Sequence, residues 1–321
     1  MTARKPLVSK FCLIDKRMPA PIQYLVHMPG RISAVAGVTL IQLVRMRLFF
    51  VPAVVAVIFL ALQFIPYQGN IGVEYQGVAQ LQFIKDVSLG CMQLFGLVFC
   101  VAATALLLPR DAEDRILYTI LCKPVPRFDY LAGKTMGVLA LLVLMIGLLD
   151  GLMSLLLAQR VSSICAELTT ALSANGFTQE DIKPYLDQVY AAGNSWNTQR
   201  GILATLLGYG VLTSLTLLVS CVTSGTIVSI IFGLGAYFIG MFQDMLFAAV
   251  SAGRGTTSLM RWTEQICAII LPDFGLFSVA DTASAGAELS WSLLGGLALI
   301  AVAYMLLHLL MATWIFSRKE F

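Results

Sequence analysis

Nine charged side chains fall within 25 positions, from Arg110 to Lys134, in a chain where only 12% of residues are charged. From Pro109 to Thr135 the run reads P-R-D-A-E-D-R-I-L-Y-T-I-L-C-K-P-V-P-R-F-D-Y-L-A-G-K-T. Interleaved carboxylates and guanidinium groups suit charge-assisted hydrogen bonding. That is the chemistry of gripping another protein rather than of breaking bonds. On a helical wheel, Ile116, Leu117, Ile120 and Leu121 share one face, and Asp111, Asp114, Arg115 and Tyr118 share the other. Pro109 precedes this predicted helix, and Asp111, Glu113 and Asp114 fill its first turn, where negative charge suits the macrodipole. Asp111 and Arg115, four apart, are placed to pair. Glu113 projects from the apolar side and needs a cationic or hydrogen-bonding partner. Lys123-Pro124-Val125-Pro126-Arg127 then forms a stiff exit. An ordinary solvated loop would need neither the two-faced wheel nor that exit.

Other reactive residue types are sparse. Gly133-Lys134-Thr135 imitates the end of a phosphate-binding loop, but Phe128 stands where the first glycine is required. Lys134 therefore reads as a snorkelling anchor of the helix that follows, and the chain is not expected to bind ATP. Asp150, within Gly147-Leu148-Leu149-Asp150-Gly151, is an aspartate inside an apolar stretch. It is either a polar point on a translocation path or glue beside a G-x-x-x-G contact. Asp244 raises the same alternatives. His308 and His27 are the only histidines, too few for a metal site or a protease triad. No paired carboxylates or nucleophile–base pair occur in the apolar stretches, which excludes an intramembrane hydrolase. Cys91, Met92 and Cys100 are soft ligands on one stretch, but thirteen methionines are ordinary for a membrane core, and no metal or other cofactor is expected.

The elements that must position the charged island are apolar. Hydrophobic residues make up 58% of the 321, and the mean hydropathy is +0.84. A membrane-crossing helix needs about 20 apolar residues, and six runs qualify: 48–66, 87–108, 134–158, 201–222, 224–249 and 290–316. The predicted class is all-α, a polytopic bundle forming one domain over 31–321 behind a tail at 1–30. Fifteen of the 21 basic residues fall in segments on the side of the island and both ends, six on the other side. The positive-inside rule puts the island and both termini in the cytoplasm. No cleavable signal peptide is read in the polar, proline-bearing N-terminus.

Residues 31–47 read as an amphipathic helix lying in the interface plane. Residues 159–199 read as two short surface helices, with Gly176 as a stop and Thr178 and Asp181 as a capping box. The 266–277 stretch is apolar but too short to span, and reads as re-entrant. The seven cysteines are scattered, and Cys165 and Cys267 both fall on the outer side, where a pairing stays open.

The order acidic-acidic-Arg, apolar-Tyr-Thr-apolar-Leu, Lys-Pro-Val-x-Arg, Tyr-Leu-x-Gly-Lys resembles the first cytoplasmic loop of type 2 ABC exporter permeases. The branch it is most similar to is the multi-copper-enzyme-maturation permeases. The matching residues are Glu113, Arg115, Tyr118, Thr119, Leu121, Lys123, Pro124, Arg127, Gly133 and Lys134, under a tenth of the chain. Cys122 stands where serine is expected. The resemblance implies a coupling helix seated in a groove of a separate ATPase subunit, through Asp111, Glu113, Asp114, Arg115, Tyr118, Lys123 and Arg127. It further implies a multi-pass protein of the bacterial cytoplasmic membrane, paired with a second copy or a paralogous permease, with ATP hydrolysis on the partner and export of a substrate. The alternative is a stand-alone secondary transporter or channel, which predicts charged or broken mid-membrane helices and repeat symmetry; neither is evident.

Overall fold

The computed structural model describes residues 28–46, 73–113, 126–223, 225–243, 272–284 and 286–318, together with positions 50, 54, 57, 58 and 61. Among these the regular elements are all helical. They are α1 (Met28–Arg45), α2 (Val73–Glu113), α3 (Arg127–Ala174), α4 (Gln179–Ala192), α5 (Trp196–Val222), α6 (Thr226–Met241), a 3-10 turn (Gly275–Phe277), α7 (Ala280–Ser284) and α8 (Trp291–Arg318).

Four stretches are long and apolar enough to cross a membrane: Gly77–Asp111, Arg127–Ala174, Gln179–Val222 and Trp291–Arg318. They contain the predicted spans 87–108, 134–158 and 201–222, and all but the first residue of 290–316. Such a set fits a multi-pass membrane protein. The predicted span 224–249 appears as the apolar but shorter α6, with 244–249 outside the described residues. Nearly all of 48–66 lies outside them too.

Aromatic residues mark the depth of the bundle. On α8, Trp291 (64% exposed) and Trp314 (58% exposed) sit near the two ends, about 35 Å apart at 1.5 Å per residue. Arg200 stacks 4.7 Å above Trp291, and Arg318 4.1 Å above Trp314. Amphipathic rings paired with cations at this spacing match the two headgroup levels around a core of about 30 Å. The Trp314 level is called the island end below, and the Trp291 level the far end.

Three sequence expectations change here. First, α2 does not stop at Pro109 but runs through it to Glu113. Asp111 and Glu113 therefore continue α2 instead of opening a new helix.

Second, the first of the two helices expected in 159–199 is the continuation of α3, which runs 48 residues. Its apolar face continues without a breaker through Ile164, Leu168 and Leu172, all buried. It ends where expected: Gly176 has φ +83°, its N–H bonds Ser173 O at 3.1 Å, and the Phe177 N–H bonds Leu172 O at 3.2 Å. That pairing is the Schellman arrangement. α4 then folds back, started by the Asp181 carboxylate accepting the Thr178 N–H at 3.3 Å. Gly77 of α2 lies so close that an added Cβ would fall 2.6 Å from Ile164. At about 72 Å, α3 outruns the hydrocarbon core, so its last turns, with α4 and the start of α2, form a packed extension at the far end.

Third, α1 does not lie across the bundle. It runs parallel to the first turns of α3, with Arg31 on Asp129, Val35 on Gly133 and Thr39 on Gly137. A Cβ on either glycine would meet α1 at 2.6 Å. The missing side chains let the two backbones approach, so α1 takes the inclination of α3 rather than of the interface plane. Val38 and Ile41 remain on its open face.

Candidate functional site

The charged island is anchored from below. Asp111 has 0% exposure and Lys134 3%. Lys134 Nζ stands 2.6 Å from Asp111 Oδ2. Gln42 of α1 joins both: its Nε2 donates to Asp111 Oδ1 at 3.0 Å, and its Oε1 accepts from Lys134 Nζ at 3.0 Å. The Tyr130 hydroxyl donates to Asp111 Oδ2, and the Lys134 ammonium lies 5.7 Å from the centre of the Tyr130 ring. Four residues from three helices thus close a buried network with both charges compensated.

The local reasons are separate for each member. α2 passes Pro109 in helical geometry, which carries Asp111 inward. Tyr130 and Lys134, four apart on α3, share one face. Gln42 reaches the pair because Gly133 and Gly137 let α1 close on α3. Gly133 therefore serves helix packing, and the Gly133-Lys134-Thr135 run carries an ion pair rather than a phosphate loop. Lys134 is not a snorkelling anchor: its head turns into the protein, where Asp111 is a better partner than a distant interface. Asp111 pairs with Lys134; Arg115, its expected partner, lies outside the described residues.

Around this core lie two further ties. Arg31 Nε meets Asp129 Oδ2 at 2.7 Å, joining the first turns of α1 and α3. Arg127 Nη1 donates to Ser317 O at 2.6 Å, joining α3 to the last turn of α8. The start of α1 and the end of α8 therefore meet the island at one end of the bundle.

Of the residues assigned to the island by sequence, Asp111 is buried in the network, Glu113 is exposed at the last described position of α2, and Arg127 donates to the last turn of α8. Asp114, Arg115, Tyr118 and Lys123 lie outside the described residues. Asp150 accepts from Gln199 Nε2 at 2.8 Å, within a chain that continues through Asn194 to Ser154 at 2.9 Å. Gly147 and Gly151 have open space where a Cβ would stand, so among the described residues no helix packs on their G-x-x-x-G face. Asp244 lies outside the described residues. His308 is 1% exposed, with Nδ1 3.0 Å from Ser214 Oγ. Cys165 is a buried free thiol; Cys267 lies outside the described residues.

Sequence reasoning missed Gln42 and Tyr130 and misread Lys134. One signal was available: an aspartate closing one apolar stretch and a lysine opening the next sit at the same depth. No family model matches the chain, and comparison with curated proteins finds no match.

Proposed function

We propose that the chain is the transmembrane subunit of an ATP-binding-cassette transporter. It has six spans, lies in a bacterial cytoplasmic membrane with both ends in the cytoplasm, and pairs with a second permease. A separate ATPase grips the 111–127 island and drives export. Glu113, Arg115, Tyr118 and Lys123 make the grip, and Asp150 and Asp244 lie toward the path. Asp111 and Arg127 serve the role from inside, by holding the island's two ends.

The observation that carries this reading is the Asp111–Lys134 pair beneath a segment whose residues resemble a coupling loop. A loop that transmits force must be fixed to the helices it moves. Here a buried pair with both charges compensated joins α2 to α3, and Gln42 adds α1. Breaking such a pair by removing one partner costs about 3–5 kcal/mol, so displacement of the island carries the three helices together. The resemblance supplies the partner, and the excess of basic residues on the island side supports its cytoplasmic placement.

The test is co-production of the chain with an ABC ATPase followed by affinity capture. Glu113→Lys or Arg115→Glu lowers the captured ATPase at least tenfold, the effect of about 1.4 kcal/mol of lost affinity, while membrane insertion is unchanged. Undiminished capture by both variants, or measurable ATP binding by the purified chain alone, overturns the proposal.

A further inference from the structure

The 272–284 stretch seats closely in the far end of the bundle. An added Cβ on Gly240 would fall 2.5 Å from Pro272 O, one on Gly208 2.8 Å from Phe277, and one on Gly201 2.8 Å from the Ala280 Cα. The Phe274 N–H holds Gly240 O at 3.2 Å. Ser284 Oγ donates to Asp86 Oδ1 at 3.3 Å, and Asn197 Nδ2 donates to Ala283 O at 3.3 Å. The fit is not complete. A cavity of about 20 Å³ remains between this stretch and α2, α5 and α6, room for one water-sized group. Two of its lining residues, Thr205 and Tyr209, lie five and nine residues beyond Arg200, which stacks on Trp291. They stand about 8 and 14 Å inside the headgroup level. At that depth a polar group is satisfied within the protein or not at all.

The described lining is neutral, and it accepts more than it donates. The Tyr209 hydroxyl donates to Gln93 O at 2.6 Å, and the Thr205 hydroxyl donates to Gly201 O at 3.1 Å. Each has spent its one proton inside the bundle, so each oxygen keeps only lone pairs to offer. Gln93 and Ser278 also line the cavity and can accept. The rings of Tyr209, Tyr237, Phe274 and Phe277 make up the rest of the wall, with Tyr237 and Phe274 5.4 Å apart between centroids. Ring faces carry negative charge density and attract a cation within about 6 Å. Among the described residues no Lys or Arg lines the cavity. The turn brings a carboxylate instead: Asp273, half-buried, precedes Phe274, and its Oδ1 accepts the Gly275 N–H at 2.9 Å.

We propose that this cavity binds a primary ammonium group, with Thr205 and Tyr209 accepting its N–H bonds and Asp273 as the charge that draws it. Three features select that group. Hydroxyl oxygens whose protons are spent need a donor, aromatic faces favour positive charge, and the space holds one water-sized centre. A carboxylate or a phosphate brings only acceptors to a wall of acceptors. A potassium ion has the charge but no N–H to give. Tetramethylammonium has no N–H and is too large. The ammonium comes from the free ion or from the amine head of a lipid. The inference does not depend on an ATPase partner.

The experiment uses the purified full chain in neutral detergent. Melting is followed with ammonium chloride and with tetramethylammonium chloride, each read against potassium chloride at equal ionic strength. A second arm uses phosphatidylcholine nanodiscs with or without phosphatidylethanolamine. Ammonium at ten times its dissociation constant raises the melting temperature of the native chain by roughly 2–4 °C; tetramethylammonium does not. Thr205→Val keeps the shape, removes the acceptor and loses most of the shift. Asp273→Asn needs about ten times more ammonium for the same shift, the effect of about 1.4 kcal/mol of lost affinity. Should these variants fail to fold, Ser278→Cys carries the test. Bound ammonium slows modification of that thiol by a methanethiosulfonate about tenfold at the same concentration, followed by mass spectrometry. A response to ammonium identifies the free ion, and a response to phosphatidylethanolamine alone identifies the lipid amine. An equal shift with tetramethylammonium, a shift that Thr205→Val keeps in full, or no shift and no protection from either amine source overturns the proposal and leaves the cavity to water.

Discussion

Lys134 shows how little a residue type says without its partner. It lies on a predicted membrane helix and is almost fully buried. Removing Lys134 strands the Asp111 carboxylate, so Lys134→Met is expected to cost about 3–5 kcal/mol, read as a lowered melting temperature in detergent. Adding Asp111→Asn to that variant should recover most of the loss, because the stranded charge is gone. A double variant no more stable than Lys134→Met alone would show that the pair is not coupled. Tyr130→Phe removes one hydrogen bond to a charged group, an expected loss of about 1.5–3 kcal/mol. Added salt should change neither value much, since buried pairs are poorly screened. Asp111 and Lys134 were legible as charges at the margins of two apolar runs. Their partnership was not, because the wheel offered Asp111 a local mate in Arg115, and local spacing says nothing of what lies across the bundle.

Glycines decide how the helices meet. Gly133 and Gly137 are four apart on α3 and receive Val35 and Thr39, and this contact brings Gln42 to the ion pair. Gly137→Leu should push α1 away, at an overpacking cost of about 1–3 kcal/mol. Hydrogen exchange across residues 28–45 would then quicken, and unchanged exchange would show that the contact is slack. Gly240→Ala should likewise unseat the 272–277 turn, because the clash is with the backbone oxygen of Pro272; faster proteolysis between 272 and 291 is the measurable result. Helix ends were well marked in the sequence where turn chemistry is explicit, as at Gly176 and Thr178. They were misplaced at Pro109, because a proline tolerated inside a helix looks the same in sequence as one that starts it. The continuation of α3 past the membrane was hidden by treating the end of the apolar run as the end of the helix.

At the scale of the whole molecule, two charged layers bracket an apolar bundle. The island end joins α1, α2, α3 and α8 through the Asp111, Asp129 and Arg127 contacts. At the far end α2, α5, α7 and the start of α8 meet through the Ser284, Asn197 and Arg200 contacts. The tryptophan levels give this arrangement a test. In liposomes, fluorescence of single-tryptophan variants keeping Trp291 or Trp314 should be quenched best by lipids brominated close to the headgroup, and weakly by tail-end bromines. Stronger quenching by tail-end bromines would place α8 at another depth. If the two ends move in one cycle, α2 is the element that reaches both, since it carries Asp111 and Lys85 about 39 Å apart along one helix.

Composition and periodicity alone determined that the chain is helical and apolar, roughly where four of its long helices run, and that its charge gathers between the second and third. Those properties depend on near neighbours: the length of an apolar run, the residues of a turn, the local density of charge. The tertiary structure decided which charges are paired. A buried ion's partner is chosen by depth and direction across a helix interface, so residues 42, 111 and 134 become one network. Only the packed bundle brings such distant positions within 3 Å, or keeps them apart.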